Sequence, residues 1–417
     1  MRRRVVITGM GVMAPGGVGV GEFWKLLGDG RTATRRISLF DPAPFRSQVA
    51  AEIDFSPAEH GIGPEEANRL DRATQLALAA VGEALGPGFP FDPHRTGVTI
   101  GTAVGATMGL EREYRIVSTQ GRDWLVDHRL AAEHLYDYFV PSSIAAEVAR
   151  RVGAQGPVAV VSTGCTSGID AVAHAAELIR EGTAEVMIAG ATDAPISPIT
   201  SACFDAIKAT TRRNDDPEHA SRPFDRTRDG FVLGEGAAVF VLEEYTAAAA
   251  RGAEILAEIA GHGTRCNAFH MTGLRPDGRE MAAAIRAALD QARVATQDID
   301  YISAHGSGTK QNDLHETNAV KRVFGVRAPA VPMSSIKSMI GHSLGAIGSL
   351  EIAACVLAIG DNVIPPTANL HELDPACDLD YVPHTAREWR TDRVLTVGSG
   401  FGGFQSAMVL CAPGVAP

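Results

Sequence analysis

Short runs rich in β-branched residues recur between longer stretches rich in alanine and leucine, and that alternation restricts the chain to layered α/β folds. VVIT (5–8), GVTIG (97–101), VAVVS (158–162), VMIAG (186–190) and AAVFVLE (237–243) read as strands. A second series follows: AEIAGHG (257–263), a helix near 279–293, IDYISAHG (299–306), helices near 315–323 and 345–359, and VLTVGSG (394–400). The stretch TAAAARGAEI (246–255) is the seam, giving halves of 1–252 and 253–417. Laying Cys165 over His342 aligns GCTSG (164–168) with GHSLG (341–345), each followed by an Ala-rich helix. The expected fold is therefore α/β and layered, made of two duplicated halves whose equivalent turns face one another.

The 417 residues, 45% of them hydrophobic, suffice for one large core or two packed ones. The net charge, 38 − 49 = −11, argues against a surface built for nucleic acid. The six cysteines (Cys165, Cys203, Cys266, Cys355, Cys377, Cys411) are dispersed, with no CxxC pair and no His/Cys spacing typical of zinc. Neither a disulfide framework nor a metal site is expected, and a reducing cytoplasm suits the chain. MRRRVVITGMGVMAPGG opens with basic residues as a secretory signal does, but Gly9, Gly11 and Pro15 interrupt its apolar run, so it reads as a strand and turn. No segment approaches 18 uninterrupted apolar residues, and no membrane span is expected.

Two glycine-rich stretches need weighing. GMGVMA (9–14) fits the dinucleotide-binding fingerprint, which requires a helix to start at once so that its first amides hold a pyrophosphate. Pro15, Gly16 and Gly17 stand there instead, so a tight turn without a cofactor is expected. GSGFGGF (398–404) lies between the apolar runs VLTV and FQSAMVL. It reads as a hairpin connection, or as a loop that aims the Phe401 amide at a reacting carbonyl while the ring closes a pocket.

Cys165 stands where VAVVS hands over to a helix marked by Ile169, Val172, Ala173, Ala176 and Ile179 at helical spacing, with Gly182 as its stop. A thiol at a helix N-terminus is expected to have a lowered pKa and to react as the thiolate. Gly164 and Gly168 are expected to leave it open to substrate. Cys203, Cys355, Cys377 and Cys411 read as buried structural residues. Two histidines occupy glycine-bounded turns after strands: His305 in AHGSGTKQND (304–313) and His342 in SSIKSMIGHSLGAIGS (334–349). Lys337 precedes one, and Asp313 and Glu316 follow the other, a less accidental set than any single histidine. His60, His94, His174 and His371 lack such a setting.

TGCTSG, AHGSGT, SSIKSMIGHSLGA and GSGFGG, in this order and spacing, resemble the four signature segments of β-ketoacyl synthases, enzymes of the thiolase fold. The resemblance covers nearly the whole chain and implies a layered αβαβα architecture. GCTSGID, HGSGTKQND, SRPFDRTRDGFVLGEG (221–236) and IPPTANL (364–370) further resemble the α ketosynthase of bacterial type II aromatic polyketide synthases. This implies decarboxylative Claisen condensation of malonyl-acyl carrier protein with an acyl or polyketide chain on Cys165. The substrates ride on the phosphopantetheine of the acyl carrier protein, with no cofactor or metal of the chain's own. The amides of Cys165 and Phe401 would hold an oxyanion, and His305 and His342 would donate to an enolate. Lys337 would set their charge and geometry, with Glu316 as its counter-charge and Asp313 as an anchor. Thr309, Ser307, His270 and Thr272 correspond to the pantetheine tunnel and Phe204 to a pocket wall; Ser307 departs from the threonine of fatty-acid enzymes. Arg69, Arg72, Lys208, Arg212 and Arg213 would form a patch for the acidic carrier.

The implied partners are an acyl carrier protein and a chain-length factor, the latter in a heterodimer, with no nucleic acid and no membrane. Rival readings are a fatty-acid elongating 3-oxoacyl-acyl carrier protein synthase II, a non-catalytic chain-length-determining partner and a cysteine hydrolase. The hydrolase would leave the second histidine and Lys337 unexplained. The non-catalytic partner would not need Cys165, His305 and His342 together.

Overall fold

The computed structural model describes residues 3–86, 88–123 and 125–415. Its principal strands are β1 (Val5–Ala14), β2 (Thr96–Gly101), β3 (Val158–Val161), β4 (Val186–Asp193), β5 (Gly236–Glu244), β6 (Ala257–Cys266), β7 (Tyr301–Ser303), β8 (Met333–Ser334), β9 (Arg393–Gly400) and β10 (Phe404–Cys411). They lie in one mixed sheet in the order β8-β7-β9-β10-β6-β1-β5-β4-β2-β3, with Gly17–Val18 added beside β1. Counted within each half, the order is the same: third, second, fourth, fifth, first. The pairing repeats as well. β2 lies parallel to β3 and β4 as β7 lies parallel to β8 and β9, and the last two pairings of each half are antiparallel. The halves join through β1 and β6 at Val6 with Glu258 and Ile7 with Ala257.

The helices that place the site are α1 (Arg72–Leu85), α2 (Ser142–Val152), α3 (Ser167–Glu181), α4 (Pro198–Ala206), α5 (Arg279–Ala292), α6 (Lys310–Phe324) and α7 (Ile347–Asp361). α1 and α2 cover the outer face of the first half, and α5 and α6 that of the second. Between the half-sheets lie α3 and α7, packed on each other through a core that includes Ile169, Val172, Ile179, Ile347, Leu350 and Ile352. Five layers, αβαβα, result. α7 is apolar on every face but for Glu351 because it is enclosed on every side. Leu344–Asp361 has the length and hydropathy of a membrane span, but 83% of it is buried inside the protein.

The GMGVMA segment departs from its expected turn, because β1 runs straight through it to Ala14. The glycines there serve close approach rather than turning: a Cβ on Gly11 would lie 2.0 Å from the Ala80 carbonyl oxygen of α1. α6 begins at Lys310, earlier than its apolar spacing suggests, because the Thr309 hydroxyl accepts from the Asn312 amide and caps it. Gly168 also has a different task from the one expected. A Cβ on it would lie 2.5 Å from the Ser349 nitrogen, so it lets α3 and α7 cross closely instead of opening Cys165 to substrate. Cys355, Cys377 and Cys411 are buried, whereas Cys203 is exposed on α4, contrary to expectation.

Candidate active site

Cys165 follows β3 and precedes Thr166, the N-cap of α3. Its loop is tied down locally: the Thr163 amide donates to Ser167 Oγ at 2.9 Å, and Ser167 Oγ donates to the Gly164 carbonyl at 2.6 Å. Gly164 adopts φ +61°, and a Cβ there would stand 3.0 Å from the Phe401 carbonyl oxygen. The turn after β9 can therefore lie directly on the cysteine loop, and the Phe401 amide is near enough to the Cys165 sulfur to favour its thiolate. The thiol keeps one face on a cavity while protein surrounds the rest. Burial pushes it up to about 12, overcoming the downward pull of the Lys337 ammonium and the Phe401 amide. The expected lowering at a helix terminus is thus reversed, because desolvation penalises the thiolate more than the nearby dipoles favour it.

His305 and His342 come together from the turns after β7 and β8. Their ring centroids are 5.3 Å apart at 81°, and both residues are 3% exposed. The Leu344 amide donates to His342 Nδ1 at 3.2 Å. In the neutral ring the proton then sits on Nε2, making that atom a donor. His305 Nδ1 has no hydrogen-bond partner among the described residues. Burial first, and then the positive charge of Lys337, hold both imidazoles well below the usual histidine range, so both are neutral near pH 7.

Lys337 is 1% exposed and donates through Nζ to the His305 carbonyl at 2.5 Å. Its counter-charge is Glu351 of α7, not the expected Glu316. Glu316 instead accepts from the backbone amides of His305 and Gly306, each at 2.7 Å. The preference follows from placement: Glu316, committed to two amides, fixes the histidine turn from its other side. Asp313 accepts from the amides of Phe224 and Gly308 and pairs with Arg228 at 3.0 Å, so it holds the end of the same turn. Burial raises Glu316 to about 8 and Glu351 to about 7.

A cavity of 440 Å³ is lined by Cys165, His305, His342 and Phe401, and also by Phe204, Ser307, Thr309 and Thr272. Ser307 and Thr309 hydroxyls lie 2.9 Å apart. Phe204 stands 5.3 Å from Phe231 and 6.3 Å from Phe401, ring to ring. His270 does not line the cavity; its Nδ1 accepts from the amides of Thr272 and Gly273 and so shapes the turn that does. Lys208 reaches the cavity wall and is exposed, as is Arg212. Arg213 is partly buried. Arg69 and Arg72 are not part of a free patch. Arg69 is paired with Glu147, and Arg72 turns inward to Glu235, a fully buried carboxylate that leaves it no surface role. No group of three or more metal-ligating side chains is assembled among the described residues.

A family model described as the β-ketoacyl synthase N-terminal domain matches residues 2–248, and one described as the C-terminal domain matches residues 256–371. The chain belongs to the β-ketoacyl synthase family. Within that family it falls with the ketosynthase α subunits of type II polyketide synthases. It is 68% identical to the tetracenomycin polyketide synthase ketoacyl synthase alpha subunit of Streptomyces glaucescens, over 99% of this chain and 97% of the relative. Among solved structures, a type II polyketide synthase acyl-carrier protein in complex with its ketosynthase bound to the hexaketide is 38% identical with a TM-score of 0.92, covering 99% of this chain and 100% of that one. The ishigamide ketosynthase/chain length factor is 35% identical with a TM-score of 0.91, again covering 99% and 100%.

Two outcomes are expected from this geometry. With a raised thiol pKa, alkylation of Cys165 by iodoacetamide, followed by peptide mass spectrometry, should keep accelerating from about pH 7 to about pH 10; a plateau near the ordinary thiol value of about 8.5 would contradict it. Glu351→Gln strands a buried ammonium and should lower unfolding stability by about 3–5 kcal/mol in denaturant titration, whereas the Lys337→Met/Glu351→Leu double variant should recover most of that loss.

Proposed function

We propose that this chain condenses malonyl units with an acyl or polyketide chain held on Cys165, the substrates arriving on the phosphopantetheine arm of an acyl carrier protein. The thiol of Cys165 attacks the incoming thioester; the departing pantetheine sulfur takes up the proton that the cysteine gives up. Malonyl carrier protein then loses carbon dioxide, and the electron pair of the broken bond moves into an enolate. His305 and His342, both neutral, donate to its oxygen. The enolate carbon attacks the Cys165 thioester, the oxyanion rests on the amides of Cys165 and Phe401, and collapse expels the cysteine sulfur as a thiolate, which takes a proton from water to restore the resting thiol as the new carbon–carbon bond remains. Fixed donors of this kind contribute about 3–4 kcal/mol each in a dry site.

The observation that carries this reading is the shared cavity wall of Cys165, His305, His342 and Phe401. Lys337, Glu316 and Asp313 act by holding the His305 turn. Thr309, Ser307 and Thr272 border the path for the pantetheine arm, with His270 supporting Thr272 and Phe204 walling the acyl pocket. The chain itself needs no resident cofactor. We assign it a chain-length factor as heterodimeric partner, which the ishigamide ketosynthase/chain length factor supports, units of 1–252 and 253–417, which the repeated strand order supports, and a cytoplasmic location, which six free cysteines suit. Lys208 and Arg212 are the cations best exposed to meet an acidic carrier near the cavity.

Cys165→Ala should abolish acyl loading while leaving malonyl decarboxylation, since the enolate donors remain; His305→Ala should lower decarboxylation by about 100- to 1000-fold and spare loading. Equal loss of both steps in both variants would contradict the division of labour. Autonomous elongation of reduced acyl chains, without a chain-length factor, would favour fatty-acid synthesis instead. Lys208→Glu/Arg212→Glu should weaken carrier-protein binding at low salt, and unchanged affinity there would remove the docking assignment.

A further inference from the structure

Asp193, the last residue of β4, is fully buried and forms no ion pair among the described residues. Its carboxylate is surrounded by donors instead. Oδ1 accepts from Thr102 Oγ1 at 2.7 Å and the Val104 amide at 3.1 Å; Oδ2 accepts from the Ala103 amide at 2.8 Å and the Gly345 amide at 2.7 Å. Three of these donors belong to the turn after β2 in the first half. The fourth belongs to the turn after His342 in the second.

That second turn is strained. Leu344 is a non-glycine residue at φ +50° and is 2% exposed, in a backbone region that costs about 1–2 kcal/mol for a side chain of this kind. It stays there because its neighbours hold it, and the next amide, that of Gly345, is held by Asp193. There is no room for a substitute: a Cβ on Gly345 would lie 2.6 Å from Asp193 Oδ2 and 2.6 Å from the Ala103 nitrogen. The Leu344 amide, fixed by this conformation, is the group that donates to His342 Nδ1. The other end of the same system reaches the nucleophile loop, where Ser167 Oγ, whose proton goes to the Gly164 carbonyl, stands 3.2 Å from the Thr102 carbonyl oxygen.

We infer that Asp193 is a positioning residue for the condensation: by gripping the Gly345 amide it keeps Leu344 in its strained conformation, and so keeps the His342 proton on Nε2, where it faces substrate. The inference rests on the enolate-donor role given to His342 above. An asparagine at this position retains one acceptor oxygen but turns an NH2 group toward amide donors, losing the Val104 bond in one orientation or the Ala103 and Gly345 bonds in the other, and without the negative charge the bonds that remain are weaker. The turn then relaxes and the imidazole is free to hold its proton on either nitrogen.

The test uses full-length Asp193→Asn and Gly345→Ala, the second intruding on the same contact from the opposite side. Malonyl-carrier-protein decarboxylation should lose kcat by about 10- to 100-fold with KM within about twofold, and acyl loading of Cys165 should be retained. In 15N-resolved NMR, His342 should show the single Nε2–H tautomer in the wild type and a mixture in both variants. Wild-type kcat with an unchanged tautomer in Asp193→Asn overturns the inference. So does failure of both variants to fold, which would make the carboxylate a folding post. If wild-type protein itself does not decarboxylate malonyl carrier protein, the functional reading fails, while the tautomer measurement still decides the role of Asp193.

Discussion

The Lys337 ammonium is the group from which the floor of the cavity is hung. It is sealed from water, neutralised by Glu351 and bonded to the main-chain oxygen of His305, so it fixes the histidine through the backbone while its charge disfavours the protonated ring. Such a charge survives only in a complete enclosure, and α7, apolar on every face except at Glu351, supplies it. The central layer of the fold and the geometry of the site are therefore one requirement. Glu316 grips the same turn from the amide side, leaving His305 little freedom in its main chain.

Low dielectric sets the resting charges throughout. The same desolvation that raises the Cys165 thiol lowers both imidazoles, so sulfur and rings meet a substrate as neutral groups. In the condensation proposed above, negative charge that develops would meet the N–H groups of Phe401 and His342. An environment of dipoles set in advance stabilises a passing charge without having to reorganise around it.

Much of this was legible in the sequence. The alternation of strand and helix, the duplicated GCTSG and GHSLG turns and the ordered motifs around Cys165, His305 and His342 located the fold and the cavity, because local spacing and turn chemistry govern them. What escaped were interactions that spacing does not encode. Glu351 had a signal, a single acid in the apolar run IGSLEIAACVLAIG, where an enclosed charge demands a partner; its choice over Glu316 depended on how α7 crosses the site. Asp193 had none, since its partners are backbone amides, one of them 152 residues away. The thiol pKa was misjudged for a related reason: a helix terminus can be read from residues, whereas the depth of burial cannot.

The repeated strand order divides the labour of the site between two stretches of chain that leave the ribosome at different times. The sulfur emerges with the first series of strands; both imidazoles and Lys337 emerge with the second. On the roles proposed above, a half-made molecule owns a nucleophile with nothing to raise an enolate beside it, and the capacity to join carbon to carbon arrives only once the later half has closed over the earlier one.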